Sequence, residues 1–215
     1  MEQTTKFWDR IAERYSRQPI ADEAAYQKKL QVTREVFKPD MTVLEFGCGT
    51  GSTALVHAPY VKQIHAIDFS ANMIAIARRK ASEAGINNVT FEQNSIEALA
   101  PEQAYDAVLG LSVLHLLNDK EAVIQKVWQL LKPGGVFISS TACLGDSAFK
   151  YFKYIEPLAR RLGLMPRVQV FDREELQQCL IDAGFRLEYQ WQPARNKALF
   201  LVARKPDSEG GRQPL

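Results

Sequence analysis

The stretch LEFGCGTG, residues 44–51, sets three glycines in five positions directly behind two apolar residues and a carboxylate. The apolar run TVLEF (Thr42–Phe46) reads as a buried strand. Glycines at its carboxyl end mark a place where the backbone turns tightly or is closely approached. A strand that runs through a glycine loop into a helix is the context of a nucleotide site in an open α/β sheet. A tight strand–helix turn alone would explain one such loop. Two features go beyond a turn. Asp68 ends the next strand, 21 positions after Gly47, where a carboxylate can accept hydrogen bonds from a ribose diol. Glu45 sits just before the loop, where it would repel a pyrophosphate. Ser52 also stands where G-x-G-x-x-G requires its last glycine, and no Lys-Ser/Thr follows as a P-loop demands. A nucleoside bearing a cationic or zwitterionic group suits this loop better than one bearing phosphates.

Outward from the loop, apolar runs alternate with helical patterns, the signature of a parallel α/β sheet. QIHAID (63–68), NVTFEQ (88–93), YDAVLGL (105–111) and GVFISST (135–141) continue the strand series. RLEYQWQ (186–192) and ALFLVARK (198–205) form a closing pair across a short polar link. Between them, residues 70–84 place Met73, Ile74, Ala77 and Ala81 on one stripe, and Gly85 supplies the stop. Asp119 caps KEAVIQKVWQLL, and Asp172 with Glu175 opens REELQQCLIDAGF as a capping-box-like pair. The expected fold is therefore a Rossmann-like, doubly wound α/β sheet of seven strands. It is mostly parallel, with an antiparallel last strand and helices on both faces.

The expected organisation is a single domain over residues 1–205. Residues 1–38 make an amphipathic helical cap, and residues 143–171, aromatic and basic, are inserted after the fifth strand as a lid. The polar tail 206–215 reads as disordered. Composition is that of an ordinary soluble chain: 215 residues, 46% hydrophobic, 24% charged, 27 basic against 25 acidic, net charge +2. That balance does not call for a nucleic-acid or membrane partner. Cys48, Cys143 and Cys179 are odd in number and widely spaced, which fits free thiols in a reducing compartment. MEQTTKFWDRIAERY lacks a signal-type apolar run, and the longest uncharged stretch, Ala107 to Asn118, is too short to span a bilayer. A cytoplasmic protein, monomeric or homodimeric, is the expectation.

VLEFGCGTG together with IHAIDFSANMIAIAR resembles the class I S-adenosylmethionine-dependent methyltransferases, in particular the small-molecule branch that includes ubiquinone- and menaquinone-biosynthesis-like enzymes. The resemblance runs from about Phe7 to Lys205. It implies S-adenosyl-L-methionine as cofactor, S-adenosyl-L-homocysteine as product, and methyl transfer to a small-molecule acceptor. It also implies roles for residues. Gly47, Gly49 and Gly51, with Glu45 and Cys48 of the same motif, approach the methionine and ribose parts. Asp68, followed by Phe69, binds the ribose hydroxyls, and Met73 packs near the adenine or its loop. Ser95 and Ile96, in FEQNSIEAL, match the segment that grips the adenine edge, with Ser95 where many relatives carry Asp. Leu111 offers a backbone carbonyl to the cofactor's amino group, and Tyr15, in FWDRIAERY, closes over the methionine end.

Leu111 also occupies the position where metal-dependent catechol-type relatives place an acidic ligand, so no metal is expected. Methyl transfer at a sulfonium is an in-line displacement, in which alignment and desolvation do much of the work. A base is needed only for a poorly ionised acceptor. His115, just past the fourth strand, is the candidate base; the alternative is a packed or positioning histidine. His57 and His65 read as structural. Tyr26, Phe149 and Phe152 are the candidate acceptor contacts, each with packing as its alternative. Two other functions remain open: a cofactor-binding or regulatory protein without turnover, and an NAD-dependent oxidoreductase, which Glu45 and Ser52 disfavour.

Overall fold

The computed structural model describes residues 2–101, 105–143, 145, 168–194 and 197–207. Two helices, α1 (Glu2–Ser16) and α2 (Glu23–Val36), precede β1 (Thr42–Phe46). Then come α3 (Ser52–His57), β2 (Gln63–Asp68), α4 (Ala71–Glu83), β3 (Val89–Gln93), β4 (Tyr105–Leu111), α5 (Lys120–Leu130) and β5 (Leu131–Thr141). After residue 167 follow α6 (Arg173–Asp182), β6 (Arg186–Trp191) and β7 (Leu199–Arg204).

The seven strands lie in the order β3-β2-β1-β4-β5-β7-β6. β3, β2, β1, β4 and β5 run parallel, and β7 is antiparallel to both β5 and β6. The switch point therefore lies between β1 and β4, where a crevice opens beyond the strand ends. Both faces of the central strands are buried, and alternate side chains serve different cores. Val43, Ala107, Leu109, Val136 and Ile138 join Val32, Ala54, Ile74 and Ala77 on one face. Leu44, Phe46, Val108 and Phe137 join Val123, Val127, Leu176 and Leu180 on the other.

Side-chain caps start the helices: Asp119 accepts from Ala122 N and Asp172 from Glu175 N, as the sequence suggests, and the structure adds Asp22 accepting from Ala25 N and Ser70 from Met73 N. Gly85 and Gly184 end α4 and α6 with positive φ of 64° and 96°. β5 differs from expectation. It begins at Leu131 rather than Gly135, because Leu131 pairs with Tyr105 and Val136 with Ala107, the residues between them bulging out. Gly134, at φ 71°, carries that bulge. The expected 143–171 insertion lies mostly outside the described residues, as does the tail beyond Asp207.

Candidate functional site

The loop after β1 is left-handed at all three glycines, with φ of 65° at Gly47, 53° at Gly49 and 74° at Gly51. What each missing Cβ makes room for differs. At Gly47 a Cβ would lie 2.5 Å from a Val113 methyl, and at Gly51 it would lie 2.7 Å from the Phe91 ring and 2.8 Å from Ala77. At Gly49 the nearest atom is on the Tyr15 ring, at 3.8 Å. Gly51 thus serves the packing of α4 and β3, whereas Gly49 faces open space.

Asp68 organises this loop. Its Oδ2 accepts from Gly49 N at 2.9 Å and its Oδ1 from Ser70 N at 2.9 Å, while Cys48 N donates to Ile67 O at 3.0 Å. Burial pushes the Asp68 carboxyl up, and the two amides oppose that. Each oxygen keeps further acceptor capacity for a ligand hydroxyl.

Helix α1 is tied to the same place. Asp9 Oδ1 accepts from Ser70 Oγ at 2.5 Å and from Asn72 N at 3.2 Å. Below that contact, Ala12, Met73 and Ile76 form a small core with Trp8. Met73 is therefore 2% exposed under α1 and lines neither of the cavities described next. The Trp8 ring meets Tyr15 edge-on at 5.8 Å and helps carry that phenol over the loop. Burial, and then the Asp68 charge, pushes the Tyr15 hydroxyl up.

Two cavities meet at the loop, and Gly47 lines both. The first is walled by Asp68, Phe69, Ser95, Ile96, Val113 and Leu117, with Thr4 and Thr5 of α1 over it. The second, of about 570 Å³, contains Tyr15, Tyr26, Glu45, Cys48, Gly49 and Leu111. Glu45 is 3% exposed, and its Oε2 has no hydrogen-bond partner among the described residues. Burial raises its carboxyl to about 8. Burial likewise raises the Cys48 thiol, with the carboxylates of Glu45 and Asp68 adding to it.

The structure thus brings Gly47, Asp68, Phe69, Ser95 and Ile96 around one cavity and Tyr15, Tyr26, Glu45, Cys48, Gly49 and Leu111 around the other. Gly51 and Met73 stand behind them. His115 lies in a single 3-10 turn, Leu114–Leu116, and lines neither cavity. Its Nδ1 is buried without a partner among the described residues, and burial lowers its pKa to about 4. Phe149 and Phe152 lie outside the described residues.

Sequence reasoning overlooked several groups. His57, read as structural, is wholly buried, has neither ring nitrogen bonded among the described residues, and lines the second cavity. Burial, then Arg34, lowers its pKa to about 4. Lys29 enters the same cavity and donates to Ser140 Oγ at 2.8 Å. Ser112, at φ 58°, turns the chain at the end of β4 and donates its N–H to Ser140 O at 2.6 Å. In the sequence, Lys29 looks like any solvated lysine on an amphipathic helix, and nothing local marks the two serines.

Residues 37–182 match the family model described as methyltransferase domain. The chain belongs to that methyltransferase family. It is 34% identical over 165 residues to the ubiquinone biosynthesis O-methyltransferase of Xanthomonas axonopodis pv. citri, across 73% of this chain and 69% of that one. It is also 32% identical over 161 residues to the malonyl-[acyl-carrier protein] O-methyltransferase of Priestia megaterium. That match covers 72% of this chain but only 57% of the relative. Among solved structures, the DhpI complex with S-adenosyl-L-homocysteine superimposes with a TM-score of 0.73 at 23% identity, over 95% of this chain and 96% of that one. The methyltransferase fold accounts for the strand order, the glycine loop and the acidic end of β2 together.

Proposed function

We propose that the protein transfers a methyl group from S-adenosyl-L-methionine to a small-molecule acceptor, without a metal, by in-line displacement. One observation carries the reading: Gly47 is the common wall of a cavity edged by Asp68 and a cavity holding the buried Glu45, whose Oε2 has no partner among the described residues. A nucleoside whose sugar bears both a diol and a cationic amino-acid chain meets both groups at once, and its ammonium would draw the buried Glu45 carboxyl towards its ionised form. The residue set fits this cofactor. Asp68 would hold the ribose hydroxyls, Phe69, Ser95 and Ile96 the base, and Glu45 and Leu111 the amino-acid end.

When bound, the cofactor supplies an electrophilic methyl on a sulfonium. The chain's own part is to align and desolvate. Tyr15, Leu111, Glu45 and Cys48 border the second cavity, and the role of that wall is to hold the acceptor in line with the methyl and away from water. The relatives are named O-methyltransferases, which supports an oxygen acceptor. Leu111, where a metal-binding relative would need a carboxylate, supports activity without a divalent ion. The test is twofold. Calorimetric titration should show S-adenosyl-L-homocysteine binding and no NADH binding. Incubation of a metabolite pool with methyl-labelled cofactor should label a small molecule in the presence of EDTA. Cofactor binding without label transfer to any fraction would instead favour a regulatory protein of this fold.

A further inference from the structure

Within the second cavity the polar groups are unevenly matched. Lys29, on α2, is half-buried, and its Nζ has only the Ser140 hydroxyl as a hydrogen-bond partner among the described residues, at 2.8 Å. The carboxylate that could have neutralised it is engaged elsewhere: Asp22 caps α2 through Ala25 N at 3.1 Å and pairs with Lys197 at 3.2 Å. Glu45, the other acid on this cavity, is buried and neutral below about pH 8. Among the described residues of this wall, Lys197, Asp22 and Lys29 therefore carry one net positive charge. Burial disfavours that charge, although Asp22 supports it from a distance. A half-buried ammonium with a hydroxyl beside it offers two adjacent donors, the pattern that a carboxylate with two oxygens satisfies.

Resting on the methyltransferase reading above, we infer that the acceptor carries a carboxylate, and that Lys29 with Ser140 is the site that holds it. Tyr26 lines the same cavity and gives the rest of the acceptor an aromatic surface. The Ser140 backbone is held from behind, because Ser112 N donates to the Ser140 carbonyl and ties the ends of β4 and β5 together. The positive φ of Ser112 belongs to the same device. Lys29 is in this account a specificity-determining residue, which selects the acceptor and leaves the cofactor alone.

The experiment uses the full chain without cofactor, and pairs of acid and amide probes: benzoate with benzamide, salicylate with salicylamide, succinate with succinamide. Dissociation constants are read by NMR titration. In at least one pair the anion should bind about tenfold or more tightly than its amide, a difference of about 1.4 kcal/mol. Lys29→Met should abolish that preference, and Lys29→Arg should keep it. Equal binding within every pair, no binding of any probe, or a preference that survives Lys29→Met would each overturn the inference. Melting temperatures of the same variants separate a purely structural role: if Lys29 only pins α2 to β5, Lys29→Met loses stability while the preference stays, which also overturns it. Titration with S-adenosyl-L-homocysteine keeps the two readings apart. Its failure to bind the wild type overturns the methyltransferase reading, whereas normal binding without carboxylate preference overturns only the assignment of Lys29.

Discussion

The amide of Gly49 donates to Asp68 Oδ2 at 2.9 Å, so the end of β2 holds the loop that follows β1. One carboxylate therefore has two tasks, fixing the loop and presenting its remaining lone pairs to a ligand. Asp68→Ala removes both. It leaves the amides of Gly49 and Ser70 without an acceptor, at about 1–3 kcal/mol for each donor left buried and unpaired. Affinity for S-adenosyl-L-homocysteine should fall by at least about tenfold, and the melting temperature should fall with it. Asp68→Asn should not rescue binding, because its amide nitrogen must confront one of the two donating N–H groups. Calorimetry and thermal melts on both variants check this; an unchanged dissociation constant in a folded Asp68→Ala removes the residue from the site.

Gly49 and Gly51 should separate cleanly. In Gly51→Ala the new methyl meets Phe91 and Ala77 at under 3 Å, and overpacking of about 1–3 kcal/mol adds to the left-handed strain of about 1–2 kcal/mol. This variant should lose stability first and binding only in consequence. Gly49→Val has space inside the protein, so its cost is the backbone strain of a branched residue at φ 53°, and it should fold with reduced stability; its side chain enters the second cavity, so cofactor binding should vanish. Circular dichroism with calorimetry distinguishes the two. Full cofactor affinity in Gly49→Val would falsify the placement of the ligand against this loop.

Glu45 predicts a pH dependence. Its folded pKa of about 8 lies above the 4.5 of an unperturbed glutamate. The folded state thus holds a proton that the unfolded state has lost over that interval. Stability from this group is complete below about pH 4.5 and is lost as pH rises through about 8. Glu45→Gln should therefore melt higher than wild type at about pH 9 and no higher at about pH 5. If Glu45 meets the cofactor's ammonium, binding also favours the ionised carboxylate and releases a proton at neutral pH. Calorimetry in buffers of different ionisation enthalpy would register that release in the wild type and its absence in Glu45→Gln.

How much of this was legible depended on whether the cause was local. The central strands were readable because burial on both faces leaves continuous apolar runs such as Thr42–Phe46 and Tyr105–Leu111. The caps Asp119 and Asp172 were readable because a helix start needs a side-chain acceptor at a fixed offset. The early start of β5 was not, since Leu131 joins the sheet only through Tyr105 on another strand. The three loop glycines look equivalent in sequence, and only Val113, Phe91 and Ala77, each from a distant segment, distinguish them. The groups overlooked in the second cavity share that origin. Lys29 meets Ser140 across 111 positions, a contact set by how α2 seats on the sheet and invisible in either segment alone.

His115 decides whether proton removal belongs to the protein. Its ring lines neither cavity, Nδ1 has no partner among the described residues, and burial lowers its pKa to about 4. A base so weak is poorly matched to a hydroxyl acceptor at neutral pH, where an effective one would lie near the working pH. His115→Leu should accordingly leave kcat within about threefold of wild type, far from the roughly 10²–10⁴-fold that general base catalysis contributes. Its effect should appear in stability instead. With a folded pKa below the 6.5 of a free histidine, the unfolded state binds the proton first, so stability is present above about pH 6.5 and declines as pH falls towards about 4. Melting temperatures of His115→Leu should consequently drop less between about pH 7 and pH 5 than those of wild type. A loss of kcat of about a hundredfold or more, with S-adenosyl-L-homocysteine affinity intact, would return His115 to the acceptor side as the base. Unchanged turnover with the altered pH profile leaves the displacement to alignment and to an acceptor that arrives already ionised.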